Sequence, residues 1–214
     1  MAQSPFGIDY YSQTPLNRLR ADYCLPGNMK RLFDVVFCSI LSTLFAVPMV
    51  LIAIAVKVTS KGPVLHWSTR VGRDNRIFQM PKFRTMHAGA PQVATHLLEN
   101  PDAYLTAIGG FLRRTSLDEI PQLFSVLRGD MTLVGPRPAL FNQDDLIALR
   151  TASGVDRLRP GITGLAQING RDGLPISEKV RLDSHYMKSY SFKLDVTILF
   201  MTAVKVARRE GVSH

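Results

Sequence analysis

Two adjacent carboxylates, Asp118 and Glu119, lie in a stretch of sequence whose other residue types suit phosphate chemistry. Arg113 and Arg114 precede the pair, and Arg137 follows it between two prolines. Those prolines reduce the entropy that is lost when the arginine binds an anion with its planar guanidinium group. An aspartate can attack phosphorus, and phosphoryl transfer also requires cations that neutralise the phosphate charge. The combination therefore predicts a site for phosphoryl chemistry.

The carboxylate pair also has a purely structural explanation. Pro121 is best tolerated in the first turn of a helix, so we expect a helix to begin near residues 116–118. Asp118 would then be its N-cap, or Ser116 and Glu119 would form a capping box. For the dipeptide alone, helix capping is the better explanation, but the neighbouring cations favour a phosphate site.

Further cations next to rigid turns support the phosphate interpretation. Arg159 and Arg171 each adjoin a Gly or Pro turn, and Lys82 and Arg84 lie on one side of an extended segment. A solvated strand face explains the last two residues equally well. A hard cation such as Mg²⁺, bound by one or two carboxylates and substrate oxygens, fits these residues. The five histidines form no cluster with the cysteines, which argues against zinc.

The composition limits the class of protein. The 214 residues suit one domain, with or without a membrane element, and 26 basic against 17 acidic residues give a net charge of +9. This excess favours anionic partners, namely nucleic acid, acidic lipid headgroups or phosphorylated substrates. Cys24 and Cys38 have no metal-ligand spacing, so we expect a reducing compartment and no disulfide. The sequence has neither a P-loop nor a dinucleotide-binding glycine motif.

One apolar segment, residues 35–56, contains no charged residue. A straight helix of this length just spans the ~30 Å hydrocarbon core of a bilayer, and a buried core helix is another alternative. We favour a third interpretation, a re-entrant helical hairpin, because Pro48 interrupts the segment and both flanks are basic. Ser42 and Thr43 are expected to bond carbonyls that the bend leaves free. The flanking cations are Arg18, Arg20, Lys30 and Arg31 before the segment, and Lys57, Lys61, Arg70, Arg73 and Arg76 after it.

The rest of the sequence predicts a domain of the α/β class, described more closely as helix-rich α+β. Residues 64–67 and 77–80 flank a turn and indicate a β-hairpin. Residues 192–209 predict an amphipathic helix with a basic C-terminal end, which either lies at the membrane interface or packs on the core. The expected organisation is an arm over residues 1–29, a re-entrant membrane helix over 30–58, a catalytic domain over 59–209 and a tail over 210–214.

Five sequence blocks occur in an order that is specific to one protein family. Together they extend over most of the chain, from Lys30 to about Val206. In these blocks the chain resembles the bacterial sugar transferases, and more closely the small monotopic phosphoglycosyl transferases that begin lipid-linked glycan assembly. The blocks are Lys30–Asp34, Lys82–Met86, Ser116–Leu123, Leu127–Pro138 and Arg159–Arg171.

The resemblance implies a two-step reaction on the cytoplasmic face of the bacterial inner membrane. Asp118 would attack the β-phosphate of a UDP-sugar, release UMP and form a phosphoglycosyl-aspartate. A polyprenyl phosphate, usually undecaprenyl phosphate, would then accept the phosphosugar. The resemblance also implies Mg²⁺ at Asp118 and a catalytic dyad completed by Glu119, which by our hypothesis helps to activate the acceptor or to arrange the metal. Asp183 and Tyr186 match positions near the site. The cations assigned to the substrate phosphates are Lys82, Arg84, Arg113, Arg137, Arg159 and Arg171.

The chain departs from the family pattern at two places. The family usually has an aromatic-Gln-Arg run before its Val-Gly turn, whereas residues 66–70 read His-Trp-Ser-Thr-Arg. The family often has Ser before the re-entrant proline, whereas this chain has Val47. The hydrogen bond that stabilises the bend is therefore expected from Ser42 or Thr43.

Two other classes of protein account for parts of the sequence. A membrane-anchored basic module that binds nucleic acid or acidic lipid explains the charge of +9, but it predicts aromatic residues among the basic ones. The chain has one Trp, and its arginines lie on Gly and Pro turns, so we expect no nucleic-acid partner. An inactive scaffold for glycan assembly is the second alternative, and the intact Asp118, Glu119 and Arg137 argue against it. A basic amphipathic surface is also compatible with a homodimer.

Overall fold

The computed structural model describes residues 27–87, 89–90, 101–170 and 173–208. Within these ranges the chain forms many helices and two small sheets, which confirms the predicted helix-rich α+β fold. The predicted tail and all but the last three residues of the predicted arm lie outside the described residues. The helices are α1 (Asn28–Leu44), α2 (Ala46–Thr59), α3 (Gly109–Arg114), α4 (Gln122–Arg128), α5 (Asp144–Ala152), α6 (Leu165–Ile168), α7 (Ile176–Lys188) and α8 (Phe192–Arg208). The strands are β1 (Leu65–Val71), β2 (Ile77–Phe83), β3 (Thr132–Val134), β4 (Ala139–Leu140) and β5 (Gly161–Thr163).

Helices α1 and α2 form a bent pair with an angle of 60° between them. The break is at Phe45, and Pro48 lies in the first turn of α2. Proline is tolerated there, but its ring would clash with the carbonyl of Leu44 if the helix were continuous. The prediction that Pro48 interrupts the apolar segment is therefore confirmed. Among the described residues no single helix has the length and apolar character needed to cross a bilayer. Taken together, α1 and α2 have the length and composition of a broken span or a re-entrant loop.

The hydroxyl groups near the bend do not act as the sequence predicts. Thr43 Oγ1 donates to Ser39 O at 3.0 Å, a carbonyl inside α1. Ser42 Oγ is buried and has no hydrogen-bond partner among the described residues. The expectation that Ser42 bonds a carbonyl freed by the bend is wrong, and the bond of Thr43 lies one turn before the bend. Both side chains follow the regular geometry of α1, which continues to Leu44.

A three-stranded antiparallel sheet has the order β2-β1-β4. The hairpin of β1 and β2 confirms the predicted one and is longer, because its register runs from Leu65 opposite Phe83 to Val71 opposite Ile77. Asp74 and Asn75 form its turn with positive φ angles of 54° and 58°, which these residue types tolerate best after glycine. A second sheet consists of the parallel strands β3 and β5. Strand β2 packs on α4, and Lys82 of β2 and Arg137 of the loop after β3 both lie near Glu119, just before α4.

The main hydrophobic core surrounds β3 and β5 and includes residues of α4, α6, α7 and α8. Cys38 of α1 is fully buried in this core, so the first half of α1 is part of the folded domain. In α8, Ile198 is also fully buried while Phe200 remains 69% exposed, so the helix packs on the core with one face and is apolar on the other. Many large apolar side chains of the bent pair are exposed: Val36, Ile40, Leu44, Val47, Val50, Leu51, Ile54 and Val58.

Candidate active site

The carboxylate pair lies in a 3₁₀ turn, Leu117–Glu119, and not at a capped helix start. Ser116 precedes the turn in the left-handed conformation, with a φ of 56°. Helix α4 begins only at Gln122, and no side-chain cap hydrogen bond forms at the turn or at α4. Both capping explanations of the dipeptide are therefore wrong, since neither Asp118 nor Glu119 caps a helix. A positive φ is uncommon in a residue other than glycine, and strained backbone conformations of this kind cluster at functional sites.

Glu119 joins two segments that are distant in the sequence. Lys82 Nζ of β2 donates to Glu119 Oε1 at 2.7 Å, and Arg137 Nη2 of the loop after β3 lies 3.9 Å from the same oxygen. The side chains of Lys82 and Glu119 are only 16% and 15% exposed, so this ion pair is shielded from water. The structure thus brings together three of the residues that the sequence assigns to the site.

Asp118 is the more buried of the two adjacent carboxylates, with an exposed fraction of 8%. Burial is the main cause that raises the pKa of Asp118 to about 6. The charge of Lys82 opposes this increase in pKa, Glu119 adds to it, and Arg113 opposes it. A buried carboxylate whose charge is incompletely compensated favours the binding of an additional cation.

Arg113 approaches the site from the end of α3. Its Nε donates to Thr85 Oγ1 at 3.0 Å, which orients the guanidinium group close enough to affect the pKa of Asp118. His66 lies opposite Lys82 in the β1–β2 hairpin, where the nearby cations make the local electrostatic potential positive. Burial lowers the pKa of His66, and three nearby cations lower it further: Lys82, Arg70 and Arg113. Such a potential attracts anionic ligands.

Arg84 does not reach this cluster, although the sequence predicts a phosphate contact for it. Its Nη1 donates to Lys61 O at 2.8 Å, and its Nη2 donates to Ser60 O at 2.8 Å and to Ser60 Oγ at 2.7 Å. The side chain is 5% exposed and holds the chain just after α2. In this structure Arg84 therefore has a structural role, and its phosphate contact stays a prediction. Strand β2 ends at Phe83, so the alternation that aligned Arg84 with Lys82 does not extend to it.

The sequence assigns two further arginines to the substrate phosphates, and the structure describes one of them, Arg159. Arg159 lines a cleft between the start of α1 and β3, together with Lys30 and Arg31. Its assignment to the substrate phosphates stays a prediction, and the described residues place it beside other cations of this cleft. Arg171 lies outside the described residues, so its assignment stays a prediction.

Asp183 is linked to the site through an arginine that sequence reasoning missed. Arg150 donates to Asp183 Oδ2 from Nε at 3.0 Å and from Nη2 at 2.7 Å, and its Nη1 donates to Arg137 O at 2.7 Å. Burial raises the pKa of Asp183, and Arg150 opposes this increase. Arg150 lies in α5, within a stretch that carries no motif, and only its spatial neighbours indicate a role.

Tyr186 contributes to a buried polar network behind the site. Its hydroxyl group lies 2.6 Å from Asp195 Oδ1 and 3.1 Å from Val134 O, and Lys30 Nζ donates to it at 3.3 Å. Burial raises the pKa of Tyr186, and the Asp195 carboxylate raises it further. Lys30 also forms an ion pair with Asp195 at 2.5 Å. The network holds α1 and α8 against the end of β3, which leads directly into the loop of Arg137.

The described residues contain no group of three or more His, Cys, Asp or Glu side chains that could hold a metal ion. The donor set at Asp118 and Glu119 instead fits an ion that takes one or two protein carboxylates and completes its shell with water and substrate oxygens. Mg²⁺ is typical of such sites. The incompletely compensated charge of the buried Asp118 is consistent with this fit.

The fold and the site define a helix-rich α+β protein in which fixed cations surround a buried carboxylate pair, an arrangement suited to phosphoryl chemistry. The family model of the bacterial sugar transferases matches residues 26–209. The chain belongs to this family, which confirms the resemblance seen in the sequence blocks.

Several curated proteins are similar to this chain. An undecaprenyl-phosphate galactose phosphotransferase of Salmonella typhimurium is 40% identical over 202 residues, which cover 86% of this chain and 41% of that protein. A UDP-glucose:undecaprenyl-phosphate glucose-1-phosphate transferase of Caulobacter vibrioides is 41% identical, covering 88% of this chain and 71% of that protein. The exopolysaccharide production protein ExoY of Rhizobium meliloti is 36% identical, covering 86% and 88%. The chain spans about two fifths of the length of the Salmonella relative.

Proposed function

We propose that this protein transfers a sugar 1-phosphate from a UDP-sugar to a polyprenyl phosphate and releases UMP. The observation that carries the proposal is the cluster of Lys82, Glu119 and Arg137 beside the buried Asp118. Three relatives of this chain are named for transfer of galactose or glucose phosphate to undecaprenyl phosphate. UDP-galactose and UDP-glucose are therefore the first donors to test, and undecaprenyl phosphate is the first acceptor.

In the first step Asp118 attacks the β-phosphorus of the donor with a carboxylate oxygen. The bond from the β-phosphorus to the bridging oxygen breaks, UMP leaves, and a phosphoglycosyl-aspartate remains. Lys82, Arg113 and Arg137 bind the diphosphate and stabilise the charge that moves to the leaving group. Because Asp118 is buried, water is excluded from its carboxylate and does not compete with the sugar phosphate for contact with it.

In the second step a phosphate oxygen of the polyprenyl phosphate attacks the same phosphorus. The bond to Asp118 breaks, and the carboxylate is restored while the polyprenyl diphosphate sugar leaves. Glu119 keeps Lys82 in place through its 2.7 Å ion pair and stands next to the attacked group, where it helps to orient the acceptor. Mg²⁺ bound at Asp118, when present, supplies charge neutralisation for the phosphate oxygens.

The acceptor is a lipid, so the site must lie at a membrane surface. We propose that α1 and α2 dip into the cytoplasmic leaflet of the bacterial inner membrane as a re-entrant pair and keep the catalytic domain on the cytoplasmic side. The exposed apolar side chains of α2 and the basic residues that flank the pair support this topology.

The proposal is tested by the intact mass of the protein after it is mixed with Mg²⁺ and a UDP-sugar in the absence of acceptor. The wild type is expected to gain the mass of one sugar phosphate less water, and Asp118→Asn is expected to gain nothing. UMP release is then measured with undecaprenyl phosphate present. A wild-type protein that neither forms the adduct nor releases UMP with any donor refutes the proposal and favours the binding-module or scaffold alternative.

A further inference from the structure

The loop that carries Arg137 is held by its backbone carbonyls. Each of the three consecutive carbonyl groups of residues 136–138 accepts a hydrogen bond, and the three donors come from different parts of the chain. The pairs are Gly161 N to Pro136 O at 2.8 Å, Arg150 Nη1 to Arg137 O at 2.7 Å and Arg70 Nη1 to Pro138 O at 3.2 Å. The orientation of this loop is therefore set by tertiary contacts.

The hydrogen bond to Arg137 O restricts ψ of Arg137, the backbone torsion that sets the direction of its side chain. The rings of Pro136 and Pro138 restrict φ at their own positions, and Pro138 also narrows the range of ψ at Arg137. Within that range ψ of Arg137 determines where its carbonyl points. A donor fixed on that carbonyl fixes ψ, and with it the direction in which the side chain leaves the loop.

Arg150 is itself rigidly mounted. Two of its nitrogen atoms bind Asp183 Oδ2, at 3.0 Å and 2.7 Å, which leaves Nη1 directed at Arg137 O. Asp183 is 2% exposed and Arg150 is 9% exposed, so water does not compete for these contacts. Charge-assisted hydrogen bonds of this kind hold a planar guanidinium group in one orientation.

We propose, on the basis of the function proposed above, that Arg150 is a positioning residue for Arg137. Arg150, oriented by Asp183, aims the Arg137 guanidinium at Glu119 and at the diphosphate of the donor. Asp183 thus acts at the site through two arginines, without contacting the substrate. The competing explanation is that the Arg150–Asp183 pair only joins α5 to α7, in which case its loss changes stability and not the action of Arg137.

A double-mutant cycle separates the two explanations. The variants are Arg150→Gln, Arg137→Ala and their combination, and the readouts are Kd for UDP with Mg²⁺ and kcat/KM for UMP release. We expect Arg150→Gln to lower kcat/KM roughly 10- to 100-fold when Arg137 is present, because small misplacements of a phosphate-binding group have effects of this size. When Arg137 is already alanine, the further loss is expected to be less than about twofold. Equal losses in both backgrounds overturn the proposal.

Two further variants keep the test valid if Arg150→Gln folds poorly. The double variant Arg150→Met/Asp183→Leu removes both buried charges, a change that often leaves stability unaltered, but it supplies no donor to Arg137 O. We expect a wild-type unfolding temperature and the same loss in kcat/KM as for Arg150→Gln. Retention of wild-type kcat/KM by this variant overturns the proposal.

A matched control is Arg31→Gln. Arg31 also donates to two backbone carbonyls, Val126 O at 2.5 Å and Leu127 O at 2.9 Å, but neither belongs to the loop of Arg137. Its effect is expected to be the same with and without Arg137. The Kd for UDP separates failure of the proposed reaction from failure of the proposed role of Arg150. If the effects of the Arg150 and Arg137 substitutions on Kd are coupled but no UMP is released, only the proposed reaction is refuted. If their effects on Kd are independent, the role of Arg150 is refuted.

Discussion

Replacement of Lys82 by methionine tests the centre of the proposed site. In the wild type, Lys82 Nζ lies 2.7 Å from Glu119 Oε1, and both side chains are about 15% exposed. Methionine keeps the apolar stem but removes the charge, so Glu119 faces the donor diphosphate without this ion pair, while Arg137 Nη2 lies at the longer distance of 3.9 Å. Loss of one partner from a hydrogen-bonded, largely buried ion pair costs about 2–3 kcal/mol.

If this whole loss affects the first transition state, formation of the phosphoglycosyl-aspartate slows by roughly 30- to 150-fold. The rate is measured by quenching the reaction of UDP-sugar with the protein at intervals, without acceptor, and by recording the intact mass. Lys82→Arg keeps the charge and is expected to lose less. Lys57→Met is the matched control, because Lys57 is exposed and, among the described residues, donates only to Gly62 O at 3.4 Å, so no change is expected. A folded Lys82→Met protein whose rate stays within about threefold of the wild type refutes the reasoning.

Three other outcomes follow from the structure. Arg84→Gln is expected to lower the free energy of unfolding by about 2–3 kcal/mol, because Arg84 bonds Ser60 and Lys61, while kcat/KM per folded molecule changes little. Denaturant titration measures the first quantity and UMP release the second. A large loss of kcat/KM at wild-type stability supports the predicted phosphate role. Lys30→Met leaves Asp195 buried without its cation and is expected to destabilise the protein by about 3–5 kcal/mol, whereas wild-type stability in thermal unfolding contradicts the described network. Chelation of divalent ions by EDTA is expected to abolish adduct formation and added Mg²⁺ to restore it, and an adduct that forms equally well in EDTA excludes a role for the metal.

Local patterns in the sequence were sufficient for several elements of the fold. Two short strand-like runs on either side of a turn predicted the β1–β2 hairpin, and a proline within an apolar segment predicted the break between α1 and α2. These features depend on contacts between residues close in the sequence, where steric rules apply directly. The same rules misjudged the start of α4, because Ser116 adopts a positive φ that no local preference of serine favours.

The sequence also predicted a chemistry for the site, since an adjacent Asp-Glu pair, nearby arginines and five ordered blocks indicate phosphoryl transfer without any knowledge of distances. Which cations reach the carboxylates depends on packing. Lys82 lies 37 positions from Glu119 and contacts it, whereas Arg84, only two positions further along, binds backbone carbonyls near α2. Arg150 belongs to no motif, and its contact with Asp183 exists because α5 packs on α7. Residue types therefore define which reaction is possible here, and the fold determines which side chains can take part in it. The reason is that a charged group acts strongly only on neighbours that the folded chain brings within a few ångströms and shields from water.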